Sequence, residues 1–157
     1  VLASPAGVPR VLVFLHPRCP CSIATLHELE RVAPAEPGRL DVTFVVLQPR
    51  GSRWDMPAEL EPVRAVFGAT VVEDVGGAEA LRFGVECSGH VLVYDQAGAR
   101  IFDGGVVPGR GHEGPNDGRE ALQAIALGEP LEAVRTAVFG CPLRGGEDCV
   151  EAPCPTK

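Results

Sequence analysis

Two cysteines stand one residue apart in "HPRCPCS", the segment from His16 to Ser22, with a histidine three positions before the first thiol. A thiolate is the species that attacks disulfides and also the species that binds soft metals, so Cys19 and Cys21 are candidates for either chemistry. A disulfide between them would close a smaller ring than a pair separated by two residues. Bridge geometry tolerates that poorly, and a strained bond is easily reduced, which suits an oxidant or isomerase better than a reductant. Cys87, Cys141, Cys149 and Cys154 bring the total to six cysteines in 157 residues. That density points to an oxidising compartment, the periplasm or another extracytoplasmic space, although a metal site uses cysteine equally well.

The elements that must position these thiols are legible around them. Val11 to Leu15 is a continuous apolar run, the pattern of a strand buried on both faces. From Ser22 to Val32, Ile23, Leu26 and Leu29 recur at helical spacing. The two cysteines therefore fall where a buried strand ends and a helix begins, the place where ligands and reactive groups gather in open α/β sheets. Unpaired amides and the positive end of the helix dipole favour an anion there, so a thiol at that junction is expected to have a lowered pKa.

Further along, "DVTFVVL" (41–47) reads as a second buried strand. A helix is expected over Glu59 to Phe67, with Pro62 near its first turn, then a short strand in "ATVVED" (69–74) and a short helix from Ala78 to Phe83. "HVLVYDQAGARIF" has the form of a hairpin: a strand from His90 to Tyr94, a turn through Asp95 to Gly98, and a return strand. After the glycine-rich loop "GGVVPGRGHEGPNDG" a final helix runs from Asp117 to Leu127 and stops at Gly128. Its stripe of Leu122, Ile125 and Ala126 is core packing. The order indicates a three-layer α/β fold with a central mixed sheet flanked by helices.

The division expected is a linker over 1–9, one domain over 10–128, and an irregular tail rich in Cys, Pro and Gly over 129–157. A chain of 157 residues with 45% hydrophobic content suits one core. The formal charge of −7 argues against nucleic acid as a partner, since phosphates would be repelled. No run of about 18 apolar residues occurs, so any membrane anchor is expected outside this segment. There is no phosphate-binding glycine loop in a strand–helix context and no C-x-x-C-H haem motif.

"VLVFLHPRCPCSIATLHEL" resembles the strand, redox motif and helix of the thioredoxin family. Cys19 falls on the first cysteine of that family's C-x-x-C motif, Ser22 on the second, and Pro20 and Cys21 between them. "FGVECSGHVLVYDQAGARI" resembles the family's cis-proline segment and the hairpin that follows, with Gly89 at the proline's position. More narrowly, "HPRCPCS", "SGHVLVYDQAGARIFDGG", "GRGHEGPN" and "VFGCPL" are similar to RedB-like bacterial proteins, a membrane-anchored thioredoxin-fold group facing the periplasm.

The resemblance implies a thioredoxin-like fold, a periplasmic setting with a tether to the inner membrane, and a thiol–disulfide redox role. Cys19 would attack, Cys21 would be its partner, and Ser22 would complete the motif. Pro20 and His16 would support the loop, with His16 either shaping the turn or serving as a ligand or proton carrier. Gly89 in place of proline is expected to leave that face more open. It also brings Cys87, two residues earlier, near the loop as a resolving thiol. No cofactor is required for that chemistry, and the partner is a protein bearing thiols or a disulfide.

An alternative reading is a soft-metal carrier or assembly factor for a respiratory membrane complex. His16, Cys19, Cys21, Cys87 and His112 would hold copper, zinc or an iron–sulfur cluster. A third is an accessory subunit of a membrane complex whose cysteines only staple its loops. His27, His90 and Glu113 read as ordinary helix, strand and surface residues. Cys141, Cys149 and Cys154 have no zinc-ribbon spacing. A local disulfide between two of them is the leading expectation, because a tail without a core gains most from a covalent tie, and the alternative is that Cys141 folds back to the thiol loop.

Overall fold

The computed structural model describes residues 7–32 and 38–144. Cys149 and Cys154, and most of the expected 1–9 linker, lie outside them. The elements are β1 (Arg10–Leu15), α1 (Pro20–Val32), β2 (Asp41–Gln48), α2 (Leu60–Phe67), β3 (Thr70–Val75), α3 (Ala78–Arg82), β4 (Val91–Tyr94), β5 (Arg100–Gly104), α4 (Asp117–Ala126) and β6 (Val134–Arg135). They form a mixed sheet in the order β3-β2-β1-β4-β5-β6. β1, β2 and β3 are parallel to one another, whereas β4 runs antiparallel to both β1 and β5.

Side chains alternate across β1, and both faces are apolar. Val11, Val13 and Leu15 join Leu26 and Leu29 of α1, Val63 of α2 and Leu122 of α4 in one buried cluster. Leu12 and Phe14 join Trp54, Ala80 of α3, Val85 and Leu143 in another. The continuous apolar run is thus a central strand covered on both sides, the three-layer arrangement expected. Among the described residues no helix is long and apolar enough to cross a membrane.

The element boundaries differ from the sequence reading by one or two residues, with a clear reason at α1. Pro20 occupies its first position, where a missing N–H costs nothing and the fixed φ already suits a helix, so Cys19 becomes the capping residue. The larger difference is beyond Gly128. Val134–Arg135 adds a short parallel strand to β5, and residues 136–143 continue as a strap across the domain. Thr136 donates to the carbonyl of Gly105 at 2.7 Å, and Cys87 bridges to Pro142.

Candidate active site

The turn from β1 into α1 is held by the site's own residues. The His16 amide donates to Ser22 Oγ at 2.9 Å, and the Cys19 amide donates to the His16 carbonyl at 3.1 Å. The Arg18 amide donates to His16 Nδ1 at 3.1 Å, which places the ring's proton on Nε2. Burial lowers the His16 pKa, outweighing the pull of Cys19, so the ring is neutral at pH 7. It stacks on Trp54 with centroids 5.1 Å apart, and the Arg18 guanidinium lies 4.8 Å from the same indole. Trp54 is fixed in turn by reciprocal hydrogen bonds with the Gln48 side chain. Of the two roles open to His16, its Nδ1 is engaged in the first, shaping the turn.

Cys19, Cys21 and Cys141 form a buried cluster of their own, and all three are unbridged thiols. The Cys19 and Cys141 sulfurs are 2.7 Å apart. Ser88 Oγ donates to Cys19 Sγ at 3.4 Å and accepts the Cys141 amide at 2.9 Å. The hydrogen bond from the Cys21 thiol is the chief cause that brings Cys19 down from 9.0 to about 4. Burial opposes it, while Cys141, Ser88 and the Ser22 amide add to the lowering. The same bond, together with burial and the Cys19 charge, pushes the Cys21 thiol up, and the Gly111 amide and Arg110 only partly offset this. The pair splits as adjacent thiols must: one ionises, the other keeps its proton and donates.

Cys19 lines an open depression of about 490 Å³ with Pro17, Arg18, Pro20, Ile23, Ala24, Gly111 and Glu113. The Gly111 side of this wall is a loop clamped to α1. Glu28, fully buried, accepts Arg119 Nη1 and the Gly114 amide at 2.7 Å each and Arg31 Nη1 at 3.2 Å. Glu113 accepts Arg31 at 2.8 Å and pairs with His27 at 3.0 Å. Neither glutamate was singled out as structural by the sequence. The cue available for Glu28 was a charged residue on the apolar face of α1, next to Leu29.

Several sequence expectations are corrected by this geometry. Cys87 is disulfide-bonded, and its partner is none of the three unbridged thiols. It is therefore not an available resolving thiol or metal ligand. Successive side chains of an extended segment point to opposite sides, and it is Ser88 that faces Cys19. Cys141 is not in a tail disulfide; the strap brings it back to the thiol loop, the alternative of the two readings. Gly89 does not leave an open face. The described backbone has no cis peptide, Gly89 has φ +80°, and a Cβ there would meet the Phe139 carbonyl and Thr25 Oγ1 at 3.1 Å. The strap fills the space.

Ser22 lends its amide to the Cys19 sulfur and its hydroxyl to the turn. The five-residue metal set is not assembled. His112 is exposed on its loop with its amide on the Gly109 carbonyl, Cys87 is bridged, and among the described residues no three His, Cys, Asp or Glu side chains converge to hold a metal. The structure therefore does not bring Cys87 and His112 to the Cys19–Cys21 loop as ligands.

No family model matches the chain, and no curated protein does. Solved structures do. An uncharacterised conserved protein from Geobacillus kaustophilus superposes with a TM-score of 0.65 at 19% identity, over 90% of this chain and 79% of that one. A hypothetical protein from Sinorhizobium meliloti gives 0.62 at 17%, over 90% and 82%. A secreted Mycobacterium tuberculosis disulfide oxidoreductase homologous to Escherichia coli DsbE gives 0.51 at 19%, over 78% and 82%. These likenesses concern the fold: with β1 and α1 meeting at Cys19 and a mixed sheet between helical layers, the chain has the thioredoxin-like α/β fold.

Proposed function

We propose that the protein is a thiol–disulfide redox protein in which Cys19 is the attacking thiolate and Cys21 the adjacent thiol that holds it ionised. The observation that carries this reading is a sulfur capping α1, stabilised by donors from Cys21, Cys141, Ser88 and the Ser22 amide, and lining a depression on the surface. A thiolate so placed attacks a disulfide to give a mixed disulfide and a leaving thiolate. The substrate is a protein or small molecule bearing a disulfide or a dithiol. RedB-like membership, a periplasmic location and a tether to the inner membrane belong to the same proposal, and the Cys87 disulfide supports an oxidising compartment.

One observation favours the accessory-subunit reading: Cys19 and Cys21 are only 1% and 2% exposed. The two readings separate on a single assay. Natively purified protein, with its metal content measured on the same sample, is incubated with a small aromatic disulfide and the release of thiol followed. The redox reading expects metal-free protein to react stoichiometrically and Cys19→Ser to lose the reaction. Full activity in Cys19→Ser refutes it, wild-type thiols that never react return the staple reading, and stoichiometric metal protecting the thiols returns the carrier.

A further inference from the structure

We propose that Cys141 is the thiol that resolves mixed disulfides on Cys19, closing a Cys19–Cys141 bond between the β1–α1 junction and the C-terminal strap. The inference rests on the redox reading above and identifies its second sulfur. The two sulfurs are already 2.7 Å apart, so a covalent bond of about 2.05 Å requires them to close by roughly 0.7 Å. Cys21 competes poorly. Its bond to Cys19 would close the short C-x-C ring within the capping residue and first turn of α1, where the backbone is fixed by helical geometry. Its proton, moreover, is the one that steadies the Cys19 thiolate.

The strap is built to deliver a residue to this point. The Ser88 amide donates to the Cys141 carbonyl and the Leu143 amide to the Glu86 carbonyl, each at 2.9 Å. A Cβ on Gly140 would lie 1.9 Å from the Ser88 carbonyl oxygen, and one on Gly77 would lie 2.5 Å from that of Leu143. Backbones this close hold Cys141 in register with Ser88, whose hydroxyl touches the Cys19 sulfur. Cys141 is 1% exposed and is not part of the depression's lining, so a bulky disulfide meets Cys19 first.

The exchange balances without a cofactor. Cys19 thiolate attacks the substrate disulfide; one Cys19–substrate S–S bond forms, the substrate S–S bond breaks, and one substrate thiolate departs. Cys141 then attacks Cys19 Sγ. The Cys19–Cys141 bond forms, the mixed disulfide breaks, and the second substrate sulfur leaves with the proton that Cys141 gives up. The substrate gains two electrons, and the Cys19/Cys141 pair loses them. A dithiol partner returns the pair to its reduced state by the reverse exchange.

The test is disulfide mapping after equilibration in glutathione redox buffers, with free thiols blocked and bridged peptides identified by mass. The expected result in the wild type is a reversible Cys19–Cys141 bridge, which still forms in Cys21→Ser. Cys141→Ser is expected to lose the internal bridge and to accumulate one glutathione on Cys19. A Cys19–Cys21 bridge in the wild type, with a two-electron transition retained in Cys141→Ser, overturns the inference and leaves the redox reading standing. Absence of any reversible oxidation of Cys19 overturns both. The wild-type map needs no variant to fold, so the outcome does not depend on the strap tolerating serine.

Discussion

Ionisation of Cys19 near pH 4 against 9.0 for an ordinary thiol makes a prediction about reactivity that depends on which of two opposing effects wins. At pH 7 the shift raises the thiolate fraction roughly 100-fold. A less basic sulfur is also a weaker nucleophile, and with a Brønsted coefficient of about 0.4–0.5 the same shift lowers its intrinsic rate about 100–300-fold. The two nearly cancel at pH 7, so a single rate there says nothing. The pH profile does. Alkylation of Cys19 by iodoacetamide, followed by peptide mass, is expected to be almost flat between pH 5 and pH 8, whereas an ordinary thiol accelerates by roughly 900-fold over that interval. The limited exposure of the sulfur slows every point equally and leaves the shape intact. Cys21→Ala removes the principal donor, and its profile is expected to rise with pH where the wild type is flat. A wild-type rate climbing about tenfold per pH unit from 5 to 8 refutes the argument, because it would mean that burial defeats the hydrogen bonds.

The same shift predicts a pH-dependent stability for the reduced protein. Because folding favours ionised Cys19, its stabilisation is complete above pH 9 and falls away as pH drops toward 4, by at most about 1.4 kcal/mol per unit; urea midpoints against Cys19→Ser should diverge in that window and converge below it. Glu28→Ala strands Arg119 beside a vacated buried site and is expected to cost about 3–5 kcal/mol, lowering Tm by roughly 6–20 °C in calorimetry; a loss under 1 kcal/mol would mean the clamp is not formed. Gly140→Ala drives a methyl into the Ser88 carbonyl and should lower the urea midpoint by an amount equivalent to about 1–3 kcal/mol. Trp54 is the chain's single tryptophan, and its fluorescence should titrate with a midpoint below 6.5 as buried His16 takes up a proton, a transition that His16→Asn should abolish.

Local pattern determined much of this protein. The apolar run of β1, the helical spacing after Ser22 and the hairpin turn are consequences of neighbouring residues, because sheet and helix periods are short. The placement of Cys19 and Cys21 at a strand–helix junction, and hence the lowered pKa of one of them, followed from the same short-range information. Which of the two ionises did not. The Cys21 donor is local, but the further donors that favour the charge on Cys19, Cys141 and Ser88, stand 122 and 69 residues from it along the chain, and nothing in a local pattern encodes that distance. The path of the strap was not legible, for a similar reason. Composition rich in proline, glycine and cysteine signals irregular backbone, yet Gly140 and Gly77 lack side chains because another backbone passes against them. Likewise Gly89, read as an opening, is a point of close approach to Phe139. A glycine's sequence context shows that the chain can turn or pack tightly there. Only the tertiary structure shows what occupies the space its missing side chain leaves, and in this protein the strap that fills it carries the third thiol.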